Sequence, residues 1–456
     1  MRNKLNKYLV DVADSINSAI KKIEYNKEGF VVVIQKNKLF GLVTDGDIRR
    51  FLLKDGSLTD TVKKCSNKNF ISFKDSISHE EIYKMLDDEI KFIPITNNKN
   101  ELIDIITRRR IPKRKENKVY FRSKSPVRIS FGGGGSDTTS FFKENNGAVL
   151  NSTISLYSHC SLILRNDKKI LIDSFELDKK QTFKNLDTLI KDPKEFKLIS
   201  SIIKIINPSF GFELRLQSDF PLSSGLGGSS ALLSSIIGCF NQIRSDKWNN
   251  YEISEIAYEA ERLNLGIDGG WQDQYATVFG GLNFMEFTNK RNIIIPLRIE
   301  KNILMELEDS LVLCYTKSNH GEIDIHKNQK ANTQQEKVRK NIIQNVKLTY
   351  ELRDSLLKGD LENFSRCLNK SWDLKKSFSK YISNDRLNLI YESAIENGAS
   401  SGKLLGAGGG GFFLFFVKPE NRNTFLKWME KEKLQFTKFK LESEGLKSLT
   451  FRKNKE

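Results

Sequence analysis

The sequence predicts an α+β protein with a small repeated module at its amino end and a larger body behind it. Three observations carry this expectation. Two similar helix, strand, turn and strand units occupy the first 112 residues, and three glycine-rich segments follow in order through the rest of the chain. Strand-like and helix-like stretches then alternate without the regular rhythm of a doubly wound parallel sheet. At 456 residues and 38% hydrophobic content the chain is long enough for substantial cores.

The first unit holds Phe30-Val31-Val32-Val33-Ile34 and then Leu39 through Leu52; the second repeats it as Phe92-Ile93-Pro94-Ile95 and Glu101 through Ile111. Residues 113–124 are so rich in lysine and arginine that they read as a solvated linker. A strand follows with Val127, Ile129 and Phe131 on one face, and alternation continues from Val149 to Leu164. Helical spacing marks Lys194 to Ile206, Leu232 to Gln242 and Tyr251 to Leu265, with a strand at Phe212 to Leu216. Two more helices are expected over Asn341 to Lys358 and Leu361 to Lys380, ahead of a strand at Gly411 to Val417.

The most informative segment is Pro221-Leu222-Ser223-Ser224-Gly225-Leu226-Gly227-Gly228-Ser229-Ser230-Ala231. Its glycines allow a tight turn and close approach to a ligand, and the helix expected behind it presents free N–H groups and a positive dipole end. It lacks the lysine of a Walker loop. By itself such a stretch is equally a turn that caps a buried helix. Two companions frame it: Ser125 through Asp137, with Gly132 to Gly135, and Lys403 through Gly411, with Gly408 to Gly411.

The ordered set of three resembles the GHMP kinases (galactokinase, homoserine kinase, mevalonate kinase, phosphomevalonate kinase), from about Lys124 to the C-terminus. Within that group the wording of the first and third motifs is most similar to the D-glycero-D-manno-heptose 7-phosphate kinases. The resemblance implies a ribosomal S5-like lobe over 125–300 and a ferredoxin-like lobe over 301–456, with the active site between them. It implies ATP as co-substrate, held by Pro221, Ser223, Ser224, Gly225, Leu226, Gly227, Gly228, Ser229 and Ser230. Ser229 and Glu261 would hold Mg²⁺, and Asp273 would take or orient the proton of the attacking hydroxyl. The rival carboxylate is Asp268. Arg128 would polarise the hydroxyl or stabilise developing charge. Asp137 would hold sugar hydroxyls together with Gly134, Gly135, Gly408 and Gly409, although Asp137 sits equally well as a helix cap. A phosphate already on the sugar would need a cation, and Lys403, Lys375, Lys376, Arg262 and Lys317 are all near enough in sequence. Trp372 and Leu374 fit either the heptose-kinase branch or a core.

The repeat over 1–112 resembles a pair of cystathionine β-synthase (CBS) domains, which often bind adenine nucleotides or pair two chains. Thr44 and Asp47 match that family's Thr-x-x-Asp pattern; the second copy has Thr107 but Arg110 in place of the acid. The module equally reads as packing alone.

Composition sets further limits. The net charge of +17 comes from basic residues mostly dispersed among acids, which favours a compositional bias over nucleic-acid binding, membrane-surface binding or attraction of an anionic substrate. No apolar run is long enough to span a bilayer, and five cysteines (Cys65, Cys160, Cys239, Cys314, Cys367) stand singly, as suits a reducing cytoplasm. His79, His159, His320 and His326 have no metal-ligand spacing. The expectation is a cytoplasmic, homodimeric sugar-phosphate kinase; another sugar acceptor and a non-catalytic nucleotide-binding regulator remain as alternatives.

Overall fold

The computed structural model describes residues 5–75, 77–87, 90–111, 118–317, 325–333 and 335–453. Two compact units divide the chain, Met1–Glu116 and Asn117–Glu456.

In the first unit, β1 (Leu9–Asp11), α1 (Ile16–Asn26), β2 (Phe30–Gln35), β3 (Lys38–Thr44) and α2 (Asp45–Leu52) make one half. The other half contains β4 (Phe73–Lys74), α3 (His79–Asp87), β5 (Phe92–Thr96) and β6 (Leu102–Thr107). Each half forms a three-stranded sheet in which the first strand is parallel to the second and the second antiparallel to the third. The repeat seen in sequence is therefore a repeat of topology. The β2–β3 connection is the two residues Lys36 and Asn37, both at positive φ, a turn whose twist suits a tight hairpin. Phe30 and Phe92 stack with ring centroids 3.6 Å apart, joining the halves through one apolar cluster.

The second unit opens on β7 (Lys118–Gly132), which pairs with the long β8 (Gly147–Leu164). The sheet continues through β9 (Ile170–Ser174), β10 (Lys179–Phe183), β11 (Phe212–Ser218), β12 (Leu282–Phe287) and β13 (Asn292–Pro296), in the order β10-β9-β11-β8-β12-β13. Packed on it are α4 (Gly228–Asn241), α5 (Asn250–Tyr258) and α6 (Gln272–Phe279). Helix α4 is buried almost all round, so the glycine loop ahead of it is anchored to a rigid element. The helix expected to run to Leu265 instead changes at Glu259 into a π turn, Glu259–Asn264.

The second sheet has β14 (Leu311–Tyr315), β15 (Ala399–Leu404), β16 (Phe412–Val417) and β17 (Gln435–Thr437), all antiparallel in the order β15-β16-β14-β17. Helices α7 (Glu336–Lys358), α8 (Leu361–Lys376) and α9 (Asp385–Glu396) come before β15, and α10 (Pro419–Lys431) before β17. That order is the ferredoxin-like arrangement. One core cluster takes Ile129 and Phe131 from the first sheet, Leu313 and Phe412 from the second and Leu352 from α7, so the two lobes share an interior.

Two expected boundaries shift. The linker does not reach Lys124, because β7 already runs from Lys118; residues 113–117 lie outside the described residues. Phe121, Ser123 and Ser125 are buried while Arg122 is exposed, so what reads as a charge run is the solvent face of a strand. Nor does the second lobe keep the chain to its end. β18 (Leu441–Glu442) pairs with β8, and β19 (Lys447–Lys453) pairs with β7, returning the C-terminal segment to the first lobe.

Candidate functional site

The glycine loop closes tightly because Ser223, Gly225 and Gly227 all adopt positive φ. The first backbone bond of α4 runs from Ala231 N–H to the Gly227 carbonyl at 3.0 Å, which leaves the N–H groups of residues 228–230 outside the helical ladder. Loop and helix end together present donors and positive potential to one cleft. Pro221, Ser223, Ser224, Gly225, Gly227, Gly228 and Ser229 line that cleft. Leu226 and Ser230 are fully buried; Leu226 packs in the shared core, and the Ser230 hydroxyl donates inward to Glu261 at 3.2 Å.

The third glycine motif lies directly on this loop. A methyl on Gly406 would come within 2.5 Å of the Gly225 Cα, and one on Gly411 within 2.5 Å of the Ser224 carbonyl oxygen. Phe412 N–H donates to that same carbonyl at 3.1 Å. Gly406 and Ala407 line the cleft, whereas Gly408 and Gly409, expected at the substrate, turn away: Gly408 crowds the Ile382 backbone and Gly409 N–H donates to its carbonyl at 2.8 Å.

Arg128, at the end of the first motif's strand, is buried and bridges the parts. Its Nε and Nη2 meet Asp273 Oδ1 at 2.8 and 2.7 Å, and its Nη1 donates to the Gly225 carbonyl at 2.7 Å. A methyl on Gly227 would stand 3.5 Å from Asp273 Oδ2, so α6 delivers this carboxylate to the foot of the loop. Asp268, the rival, lines a side chamber instead. Asp137 is also buried, but it does not cap the short helix Thr139–Phe142. Its carboxylate accepts Gly135 N–H at 3.1 Å and Gln272 N–H at 3.2 Å, and burial followed by the nearby Asp273 charge raises its pKa.

Two buried lysines line the same cleft. Lys403 donates to the Phe131 carbonyl at 2.9 Å, and burial with the Arg128 charge pulls its pKa down to about 7. Lys375 donates to the Leu404 and Gly406 carbonyls at 2.8 and 2.6 Å; burial, then Lys403 and Arg128, hold its pKa well below the usual lysine range. On the other wall, the π turn projects Glu261 to accept from Ser229 Oγ at 2.5 Å and from Gln274 Nε2 at 2.8 Å.

The cleft encloses about 550 Å³. At the end by Pro221, Leu177, Phe196, Leu198 and Phe220 make an apolar wall beside Ser174 and Glu176, where Glu176 is tied to the Ser218 N–H. Sequence reading missed Ser130, Gln272 and Asn345, which also line it. Asn345 links the first motif to α8, donating to the Gly134 carbonyl at 3.4 Å and accepting from Ser371 at 2.7 Å. Trp372 is core. Among the described residues no group of three or more His, Cys, Asp or Glu is placed to hold a metal, and no helix is long and apolar enough to cross a membrane. His320 and the His326 side chain lie outside the described residues.

In the first unit, Thr44 and Asp47 engage each other. Thr44 N–H and Oγ1 donate to Asp47 Oδ2 at 2.9 and 2.7 Å, Asp47 N–H returns to Thr44 Oγ1 at 3.2 Å, and Arg50 pairs with Oδ1 at 2.5 Å. This is a capping box at the start of α2.

Comparison with known proteins agrees with this geometry. The model of the GHMP kinase N-terminal domain matches residues 196–281, and that of the C-terminal domain matches 352–427. D-glycero-alpha-D-manno-heptose 7-phosphate kinase of Campylobacter jejuni is 40% identical over 333 residues, 72% of this chain and 98% of that protein. The chain belongs to the GHMP kinases. Residues 6–54 match the CBS domain model, so a CBS domain precedes the kinase. A crystal structure described as a D-glycero-D-manno-heptose 1-phosphate kinase from Bacteroides thetaiotaomicron superposes with a TM-score of 0.61 at 30% identity, covering 72% of this chain and 98% of that one. A putative sugar kinase from Campylobacter jejuni gives 0.59 at 37% identity, over 73% and 98%.

Proposed function

We propose that this GHMP kinase transfers the γ-phosphoryl group of ATP to the anomeric hydroxyl of D-glycero-D-manno-heptose 7-phosphate, yielding the 1,7-bisphosphate and ADP. The observation that carries the reading is the Arg128–Asp273 pair set at the foot of the glycine loop, in a chain 40% identical to a heptose 7-phosphate kinase along 98% of that protein. The triphosphate rests on the loop and the free N–H groups of residues 228–230, with the nucleobase against Leu177, Phe196 and Phe220. Asp273 receives the proton of the anomeric hydroxyl as its oxygen bonds to the γ-phosphorus and the bond to ADP breaks. Arg128 holds Asp273 in place and keeps positive charge beside the transferring group. Asp137 accepts sugar hydroxyls, assisted by Gly134 and Gly135.

Ser229 and Glu261 would hold Mg²⁺: both are hard oxygen donors already brought together by their hydrogen bond, and this ion takes few protein ligands and completes its shell from phosphate and water. When bound it supplies charge neutralisation on the β- and γ-phosphates. The product suits synthesis of nucleotide-activated heptose for capsule, S-layer or lipopolysaccharide in the cytoplasm.

ADP release measured against a panel of heptose phosphates, free heptose, fucose and N-acetylhexosamines tests this. A preference for heptose 7-phosphate is expected. Fucose is the second reading, because a bifunctional fucokinase from Arabidopsis thaliana is 28% identical over 68% of this chain, and a preference for it would overturn the first. No turnover with any sugar would leave a nucleotide-binding regulator. For the first unit, AMP or ATP binds at the Thr44–Asp47 end of α2 and two chains pair through the CBS module; adenylate heat in calorimetry, lost in Asp47→Ala, and a dimer mass in light scattering are the checks.

A further inference from the structure

A second chamber of about 260 Å³ opens off the cleft and shares Gly135, Thr138, Arg262, Ile267, Gln329 and Phe378 with it. None of residues 221–229 lines this chamber, nor does Asp273. A ligand extending into it therefore passes Asp137 and Gly135 and moves away from the nucleotide loop. Arg262, carried by the π turn, lines both spaces.

The state of Arg262 is unusual. Its side chain is only 9% exposed, and its Nε–H is buried without a hydrogen-bond partner. Its Nη1 is held at 3.3 and 3.2 Å by the Ile267 and Asp268 carbonyls, and Glu261 Oε1 lies 3.6 Å from it. The guanidinium also fills the space over Gly269, where a methyl would fall 2.5 Å from its Cζ. A cation fixed in this way, with a donor left over, is preorganised for an acceptor that arrives with the ligand.

The other cations near the cleft are differently committed. Lys403 and Lys375 line the main cleft, where they donate to backbone carbonyls, and do not line the chamber. Lys376 pairs with Asp373 at 3.0 Å, and Lys317 donates to the Lys433 carbonyl at 3.3 Å. The chamber is otherwise lined by the hydroxyls of Thr138, Thr139, Ser140 and Tyr258, the Gln329 amide, apolar groups such as Leu263 and Phe378, and the Asp268 carboxylate.

We infer that this chamber is the subsite for the phosphate monoester at the far end of the sugar, and that Arg262 is the residue that makes the kinase select a phosphorylated acceptor. The inference rests on the sugar-phosphate reading above. It assigns the reacting hydroxyl and the distal phosphate to opposite ends of one path, from Asp273 past Asp137 and Gly135 to Arg262.

The test compares the full-length enzyme with Arg262→Met and Arg262→Lys, assayed with heptose 7-phosphate and with unphosphorylated heptose. The readout is the ratio of the two kcat/KM values. Loss of a charge-assisted contact of this kind lowers that ratio by about thirtyfold in Arg262→Met, with Arg262→Lys between it and the parent. Equal loss on both sugars, or a loss that appears in the KM for ATP instead, would overturn the assignment, since either would place Arg262 with the nucleotide or the fold. A parent enzyme that prefers the unphosphorylated sugar overturns the substrate reading and the subsite together. A parent that prefers the phosphate, with a ratio unmoved by Arg262→Met, overturns the subsite alone.

Discussion

Asp273 and Lys403 show how burial assigns different work to two groups that both feel the Arg128 charge. Asp273 spends Oδ1 on Arg128 and keeps Oδ2 toward the loop, which is the geometry a proton acceptor needs. Asp273→Asn removes that acceptor while keeping the shape, so kcat falls by about a hundredfold to ten-thousandfold in a chain that still folds, with a lower melting temperature because the buried Arg128 loses its counter-charge. Steady-state kinetics beside a thermal melt checks it; near-normal kcat would end the assignment. Lys403 has a pKa of about 7 in the folded chain against an ordinary 10.5. Between those values the unfolded chain holds a proton that the folded chain has released, so this residue makes stability rise with pH across that window. Below about pH 7 both states are protonated and the folded one bears the whole cost of a buried charge. Lys403→Met therefore gains in melting temperature over the parent at pH 6, and the gain shrinks toward pH 10. A difference constant with pH would show that the folded lysine keeps an ordinary pKa.

At the scale of elements, the site depends on two glycine loops meeting backbone to backbone. Gly406 has φ +66° and no room for a methyl against Gly225, so Gly406→Ala must strain its own backbone and push the nucleotide loop outward. The expected result is a KM for ATP raised about tenfold or more, and a stability loss of about 1–2 kcal/mol from the left-handed conformation alone. An unchanged KM would mean that the third motif does not support the loop. Such contacts explain why the three motifs could be read at once: positive φ and close approach restrict the residue to glycine, and the restriction is written locally. At Thr44 and Asp47 the sequence pattern was legible as Thr-x-x-Asp, and the structure adds that the two side chains close a capping box on each other. Pairings across distance left no such trace. Arg128 and Asp273 lie 145 positions apart, and nothing beside either names the other. The start of β7 was hidden because its inward face alternates Phe121 with serines, so the basic outward face dominated the pattern. The π turn that aims Glu261 and Arg262 leaves no signature in the helical periodicity, which runs on through Leu265.

Across the whole molecule, the return of the chain to its first lobe matters as much as the cleft. β19 covers β7 from Lys118 to Lys124, Leu446 packs into the core around α4, and Gly445 fits so closely under Gly280 that a methyl there would fall 2.0 Å from its nitrogen. Strand β7 leads directly to Arg128, and α4 supports the glycine loop, so both walls of the cleft hang on a segment that follows the second lobe in sequence. A chain ended after Lys440 would expose a strand edge of seven paired positions and the apolar surface beneath it. This truncation is expected to lower the melting temperature by ten degrees or more at about 2–4 °C per kcal/mol, to shorten survival in limited proteolysis and to abolish turnover. Two details make the outcome specific. Cleavage should appear first within residues 118–124, where the partner strand has gone, and Asp47→Ala in the intact chain should reproduce none of these losses, because it alters only the CBS module. A truncated kinase that melts with the parent would mean the nine-stranded sheet stands without its last strand.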